Sequence, residues 1–125
     1  MEALTCAGLR YILAAAELRE KATAPVRCID VAARLGVARA SACRMLAGLA
    51  RAGLIEPEIR RGVTFTATGR QLAAKYLAGY RRLRVFFQTG LGLSDYDSGE
   101  CAMVLLSSLS PELTDTICRR LESGA

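Results

Sequence analysis

The sequence predicts a mostly α-helical chain interrupted once by a short β-prone segment, and three observations lead there. Apolar residues recur three and four positions apart through most of the chain, as they do along amphipathic helices. Gly36 and Gly53 each stand just past such a run, where helices end. Only 3 prolines occur in 125 residues, so few points force a helix to break.

Taken in order, Leu9, Ile12, Leu13 and Ala16 trace one face of a helix over 3–21 that stops before Pro25. Val26-Arg27-Cys28 reads as a short extended stretch. Asp30 to Leu35 is a short helix stopped by Gly36. A longer helix from Arg39 to Ala52 carries Ala42, Met45, Leu46 and Leu49 inward. Two β-prone runs, Leu54 to Ile59 and Val63 to Thr66, flank Arg60-Arg61-Gly62 and predict a hairpin. Thr68 with Gln71 three residues on is a capping-box pair. It opens a long helix with Leu72, Tyr76, Tyr80, Leu83 and Phe87 on one face, closed by Gly90 and Gly92. Asp95 or Asp97 is expected to cap the next helix, and Ser110-Pro111-Glu112 starts the last.

A helix, a short helix, a tight turn, a second helix and a hairpin make a winged helix-turn-helix. The chain therefore divides into a DNA-binding domain, 1–70, and a helical remainder, 71–125, made of a long helix and a helical pair. Within the motif, Ala32 must be small where the helices touch and Gly36 permits the turn. Val37 and Ala42 are expected to plug the crossing.

Charge supports this division. Residues 1–90 hold 15 of the 17 Lys and Arg but 6 of the 12 acids, whereas the remainder hold 2 and 6. A basic body suits a polyanion such as double-stranded DNA. Arg39, Ala40, Ser41, Cys43 and Arg44 should be exposed on the second helix of the motif. A recognition helix presents its N-terminal residues to base edges, and Arg is the usual reader of guanine. Arg51, Arg60 and Arg61 read as phosphate contacts.

Other classes fall away on composition. The chain has no His, the commonest general base and transition-metal ligand. It shows no nucleophile elbow, no Gly-rich phosphate loop and no convergent carboxylate pair, so no enzyme is expected. Its five cysteines are odd in number and unpaired in motif, as reduced cytosolic thiols are. The first twenty residues carry early acids and no uninterrupted apolar run. Neither a signal peptide nor a membrane span is predicted, and the expected location is cytoplasmic.

These residues resemble the iron- and manganese-dependent repressors typified by the diphtheria toxin repressor and the manganese transport regulator. The marks are Tyr11 to Leu18, Ile29 to Leu46, Arg51-Ala52-Gly53-Leu54-Ile55, and above all Gly62-Val63-Thr64-Phe65-Thr66-Ala67-Thr68-Gly69-Arg70. The resemblance implies a homodimer with one recognition helix per operator half-site and metal-triggered DNA binding. It makes 71–125 a linker helix and a helical dimerisation domain, with the helical pair at 94–123 as the dimerisation unit. Tyr80, Phe87, Met103, Leu106 and Leu113 are the expected seam.

The metal ligands do not carry over. Arg10, Tyr80, Arg84, Gly99, Met103, Leu106 and Ser107 stand where the resemblance places ligands, and of these only Met103 could bind a metal, weakly. No cofactor is therefore expected. A rebuilt manganese or iron site from Asp97, Glu100, Cys101 and Met103 is one alternative, and a protein-interaction module without DNA binding is another. The switch stays open between constitutive pairing of Arg10 and Arg84 with acids such as Asp97 or Glu100, a thiol switch at Cys6, Cys101 or Cys43, and an anionic effector.

Overall fold

The computed structural model describes residues 4–123. Six α-helices follow one another among them: α1 (Cys6–Lys21), α2 (Cys28–Leu35), α3 (Arg39–Arg51), α4 (Ala67–Val85), α5 (Asp95–Ser108) and α6 (Pro111–Glu122). The described residues fall into two compact units, 7–74 and 75–123 with 4–6, so the division lies inside α4. The fold is mostly α, with a helix-turn-helix followed by a linker helix and a helical pair.

In the first unit α1 buries Leu9, Tyr11, Ile12, Leu13, Ala14 and Ala15. Val31 and Ala32 of α2 and Ala42, Leu46 and Leu49 of α3 are buried with them, each larger side chain stabilising by roughly 1.5–3 kcal/mol. The α2–α3 turn is a Schellman closure: Val37 N–H reaches Ala32 O at 3.0 Å and Gly36 N–H reaches Ala33 O at 3.4 Å. Gly36 is left-handed at φ 69°, ψ 35°, where a side chain would be strained. The same closure ends α3, with Leu54 N–H on Leu49 O and Gly53 N–H on Ala50 O, both 3.0 Å.

Several local expectations are corrected. Val37 does not plug the crossing: in the closure it turns outward and is 39% exposed, so Ala42 and Leu46 fill the space. Cys28 begins α2 instead of ending an extended stretch, because Asp30 Oδ2 accepts the Arg27 backbone N–H at 2.8 Å and starts the helix there.

The hairpin is reduced to one antiparallel bridge, Ile55 to Phe65, supported by Glu56 N–H on Thr64 O (2.9 Å) and Thr66 N–H on Leu54 O (3.1 Å). Pro57 has no N–H to extend the ladder. Val63 spends its N–H on Val26 O at 2.6 Å, and the tip winds into a 3₁₀ turn over Ile59–Arg61. Arg19 Nη1 donates to Val63 O at 3.0 Å and ties this wing to α1.

Finally, α4 is capped by Thr66 and not Thr68. The Thr66 hydroxyl accepts the Gly69 N–H at 3.0 Å and donates to Gly53 O at 2.6 Å. The bond to the end of the α3 turn fixes the cap two residues earlier than the Thr68–Gln71 pattern suggests.

In the second unit Leu77, Leu83, Ala102, Met103 and Leu106 are buried, with Ser98 at 0% exposure. A π-helical turn, Phe86–Gly90, closes α4. Ser94, not Asp95 or Asp97, caps α5, accepting Asp97 N–H at 3.0 Å; the two acids fall in the first turn, where they favour the helix dipole. Ser110 caps α6 as expected, accepting Leu113 N–H at 3.1 Å, with Pro111 at the first helical position. Lys75–Asp115 (3.7 Å) and Arg82–Glu122 (2.9 Å) link α4 to α6.

Candidate nucleic-acid interface

The candidate surface begins at the start of α3. Ala38 occupies the N-cap position in an extended conformation and offers no side-chain acceptor, so no cap side chain claims the first N–H groups of α3. Such groups, at the positive end of a helix, suit a phosphate. Arg39, Ala40 and Arg44 are exposed on the first turns, whereas Ser41 and Cys43 are half-buried. Cys43 was expected outward with the others. It is half-buried instead, and its thiol acts on the titration of Cys28 at the start of α2.

Burial changes the chemistry of Cys28. Burial, then the Cys43 thiol, push the Cys28 pKa from 9.0 up to about 11, against a smaller opposing effect of the Arg39 guanidinium. Sequence reasoning missed this effect on Cys28. Nothing in the spacing of 28 and 43 marks it until the packing of the two helices is known.

Arg51 is exposed at the far end of α3. Arg60 and Arg61 are exposed at the wing tip, and Arg61 Nε lies 3.7 Å from Glu58 Oε2 in a surface pair. Such pairs are worth well under about 1 kcal/mol and yield readily to a phosphate. The first unit thus carries all eight candidate DNA-contact residues, six of them exposed.

In the second unit, Met103 and Leu106 are buried within the fold itself, and Tyr80 and Phe87 are half-buried. The Phe87 ring packs edge-on against Phe86, centroids 5.3 Å apart. Leu113 is 47% exposed, alongside exposed Val85, Leu91, Tyr96 and Val104.

The residues at the positions where the resemblance places metal ligands do not fit a divalent cation. Among the described residues, no three His, Cys, Asp or Glu side chains converge. Arg84 pairs with Asp95, whose Oδ1 also accepts Gln88 Nε2 at 2.9 Å. The Ser107 hydroxyl bonds Val104 O at 3.1 Å, and Met103 is closed into the core. A Cβ on Gly99 would stand 2.8 Å from the Tyr80 hydroxyl, leaving no room there for a ligating side chain.

Comparison with known proteins agrees with this architecture. A manganese-dependent transcriptional repressor, solved in complex with manganese, is 26% identical, with a TM-score of 0.74 over 91% of this chain and 52% of its own. The metal-dependent transcriptional regulator MtsR is 21% identical, with a TM-score of 0.78 over 92% of this chain and 53% of its own. A hypothetical protein from Sulfolobus solfataricus is 17% identical, with a TM-score of 0.64 over 94% and 89%. The chain thus spans about half the length of the two metal-dependent regulators. No curated protein matches it in sequence. Residues 18–58 match the family model described as the IclR helix-turn-helix domain, and the fold that surrounds them is the one found in metal-dependent transcriptional repressors.

Proposed function

We propose that the chain is a cytoplasmic, non-enzymatic transcriptional regulator that binds an operator in double-stranded DNA as a homodimer, acting as a repressor without a metal ion. The observation that carries this reading is the start of α3, where exposed Arg39, Ala40 and Arg44 flank a helix N-terminus that its cap residue leaves open. A helix of this kind laid in the major groove places its first side chains on base edges while backbone N–H groups meet the phosphate. Arg51, Arg60 and Arg61 add contacts that steer and hold.

Two copies are proposed because α6 buries no residue fully and Leu113 stands exposed on it. A paired surface of this kind matches two half-sites to one two-fold axis. Metal independence is favoured by the arginine, buried thioether and unbranched glycine at the positions the resemblance reserves for ligands. The solved manganese complex favours the opposite reading, a rebuilt site.

Selection of bound duplexes from a random pool, with and without chelator, separates these readings. An inverted repeat recovered equally in both arms supports the proposal. Recovery only without chelator points to a metal-responsive protein. No enrichment in either arm favours a protein-interaction module.

A further inference from the structure

The last turns of α1 carry two side chains that reach different parts of the first unit. Glu17 Oε1 accepts Arg34 Nη2 of α2 at 2.9 Å, and Arg19 Nη1 donates to Val63 O at 3.0 Å. Two positions along a helix are turned roughly 200° from each other, so these side chains leave α1 on nearly opposite sides. The body of α1 behind them is firmly seated, with Leu9, Ile12, Leu13 and Ala15 at 2% exposure or less. It forms a strut joined to the helix-turn-helix on one side and to the wing on the other.

Val63 is where the wing meets that strut. Its side chain is fully buried, its N–H is on Val26 O at 2.6 Å, and its carbonyl takes the Arg19 guanidinium. The N–H bond holds the plane of the peptide before Val63, and the Arg19 bond holds the plane of the one after it. Gly62 beside it runs at φ 129°, where glycine is favoured, and a Cβ there would stand 3.0 Å from Pro25 Cβ. The wing thus leaves the body through a close-packed joint two residues from Arg61. Arg60 and Arg61 lie exposed in the 3₁₀ turn just before it.

We propose that Arg19 is a positioning residue for DNA binding: its bond to the Val63 carbonyl sets the wing at the angle at which Arg60 and Arg61 meet phosphates. The consequence for DNA rests on the function proposed above; the tie between α1 and the wing does not. Loss of the guanidinium leaves the Val63–Thr64 peptide unheld on that side. Both wing arginines then lose their placement together, while α3, seated through buried Ala42, Leu46 and Leu49, keeps its own.

Fluorescence anisotropy of the full chain on a selected duplex, over a salt series, tests this. Arg19→Ala should weaken matched and mismatched duplexes alike, by about tenfold. It should also lower the salt slope by about 2, the share of two phosphate contacts and not of one. In a background of Arg60→Ala with Arg61→Ala, the same change should cost less than about twofold more. Gly62→Ala loosens the same joint with every charge in place and should reproduce the loss; it decides alone if Arg19→Ala fails to fold. A loss that persists without the wing arginines makes Arg19 a phosphate contact itself and overturns the proposal. So does unchanged affinity, and so does an altered base preference, which would place the effect at α3. A parent chain that binds no duplex defeats the regulator reading alone. Trypsin then judges the tie: cleavage after Arg60 and Arg61 of the free chain should quicken severalfold in Arg19→Ala, and equal rates overturn it.

Discussion

The Tyr80 hydroxyl stands in the space that a side chain at Gly99 would need, 2.8 Å from where its Cβ would lie. Both residues hold positions at which the resemblance places metal ligands, and here they pack on each other instead. Gly99→Ala is therefore expected to destabilise the chain by about 1 kcal/mol through the clash, although alanine favours a helix interior by about 0.8–1.0 kcal/mol. In a Tyr80→Phe background the clash is gone and the same change should become stabilising. Urea denaturation of the four members of the cycle measures the coupling; additive effects would show that the hydroxyl does not constrain residue 99.

Gly69 meets backbone, which cannot swing away. A Cβ there would lie 1.8 Å from Leu54 O. Gly69→Ala is expected to cost about 3 kcal/mol or more, against about 1 kcal/mol for removing the cap hydroxyl with Thr66→Ala. Thermal melts of the two variants check the order. Equal losses would mean that α4 can slide off Leu54 freely.

On the proposed function, Arg44 and Arg61 should separate base reading from phosphate holding. Arg44→Ala should relax preference at one position per half-site, costing about 1–3 kcal/mol on the preferred base and little elsewhere. Arg61→Ala should weaken every duplex alike and lower the salt slope by about 1. Fluorescence anisotropy on matched and mismatched duplexes over a salt series distinguishes them. Uniform losses in both variants would remove Arg44 from the bases.

The buried Cys28 thiol also makes stability depend on pH. Its folded-state pKa is raised from 9.0 to about 11 by burial and by Cys43. Because the protonated form is the one the fold favours, this contribution is fully present below pH 9 and is lost as pH rises toward about 11. Cys28→Ser should flatten the decline of unfolding free energy over that window relative to the parent. Parallel slopes in the two proteins would show that the thiol is not desolvated.

Much of the fold is legible wherever one residue type has a single physical use. Gly36 and Gly53 end helices because the left-handed turn admits little else, and Ser110-Pro111 starts one because both neighbouring N–H problems are solved locally. Legibility fails where two local solutions compete and a distant group decides. Thr66 wins over Thr68 because Gly53 O lies within its reach, and Ser94 wins over Asp95 because the chain turns one residue earlier. The wing falls short of a hairpin because Val26 takes the N–H of Val63. That Arg39 and Arg44 stand exposed on the first turns of α3 could be expected from helix position alone. The burial of Cys28 at the start of α2 required the way in which the helices pack.

The shortened wing has a practical side. Its exit segment is anchored, by Val63 on Val26 and Thr66 on Gly53, whereas between Pro57 and Arg61 the tip is held by its own 3₁₀ turn and a surface ion pair. Residues added at that tip would lengthen an arm without shifting the body that carries it. On the proposed function, insertion at this one place would alter the reach of the wing along DNA while α3 stays where it is.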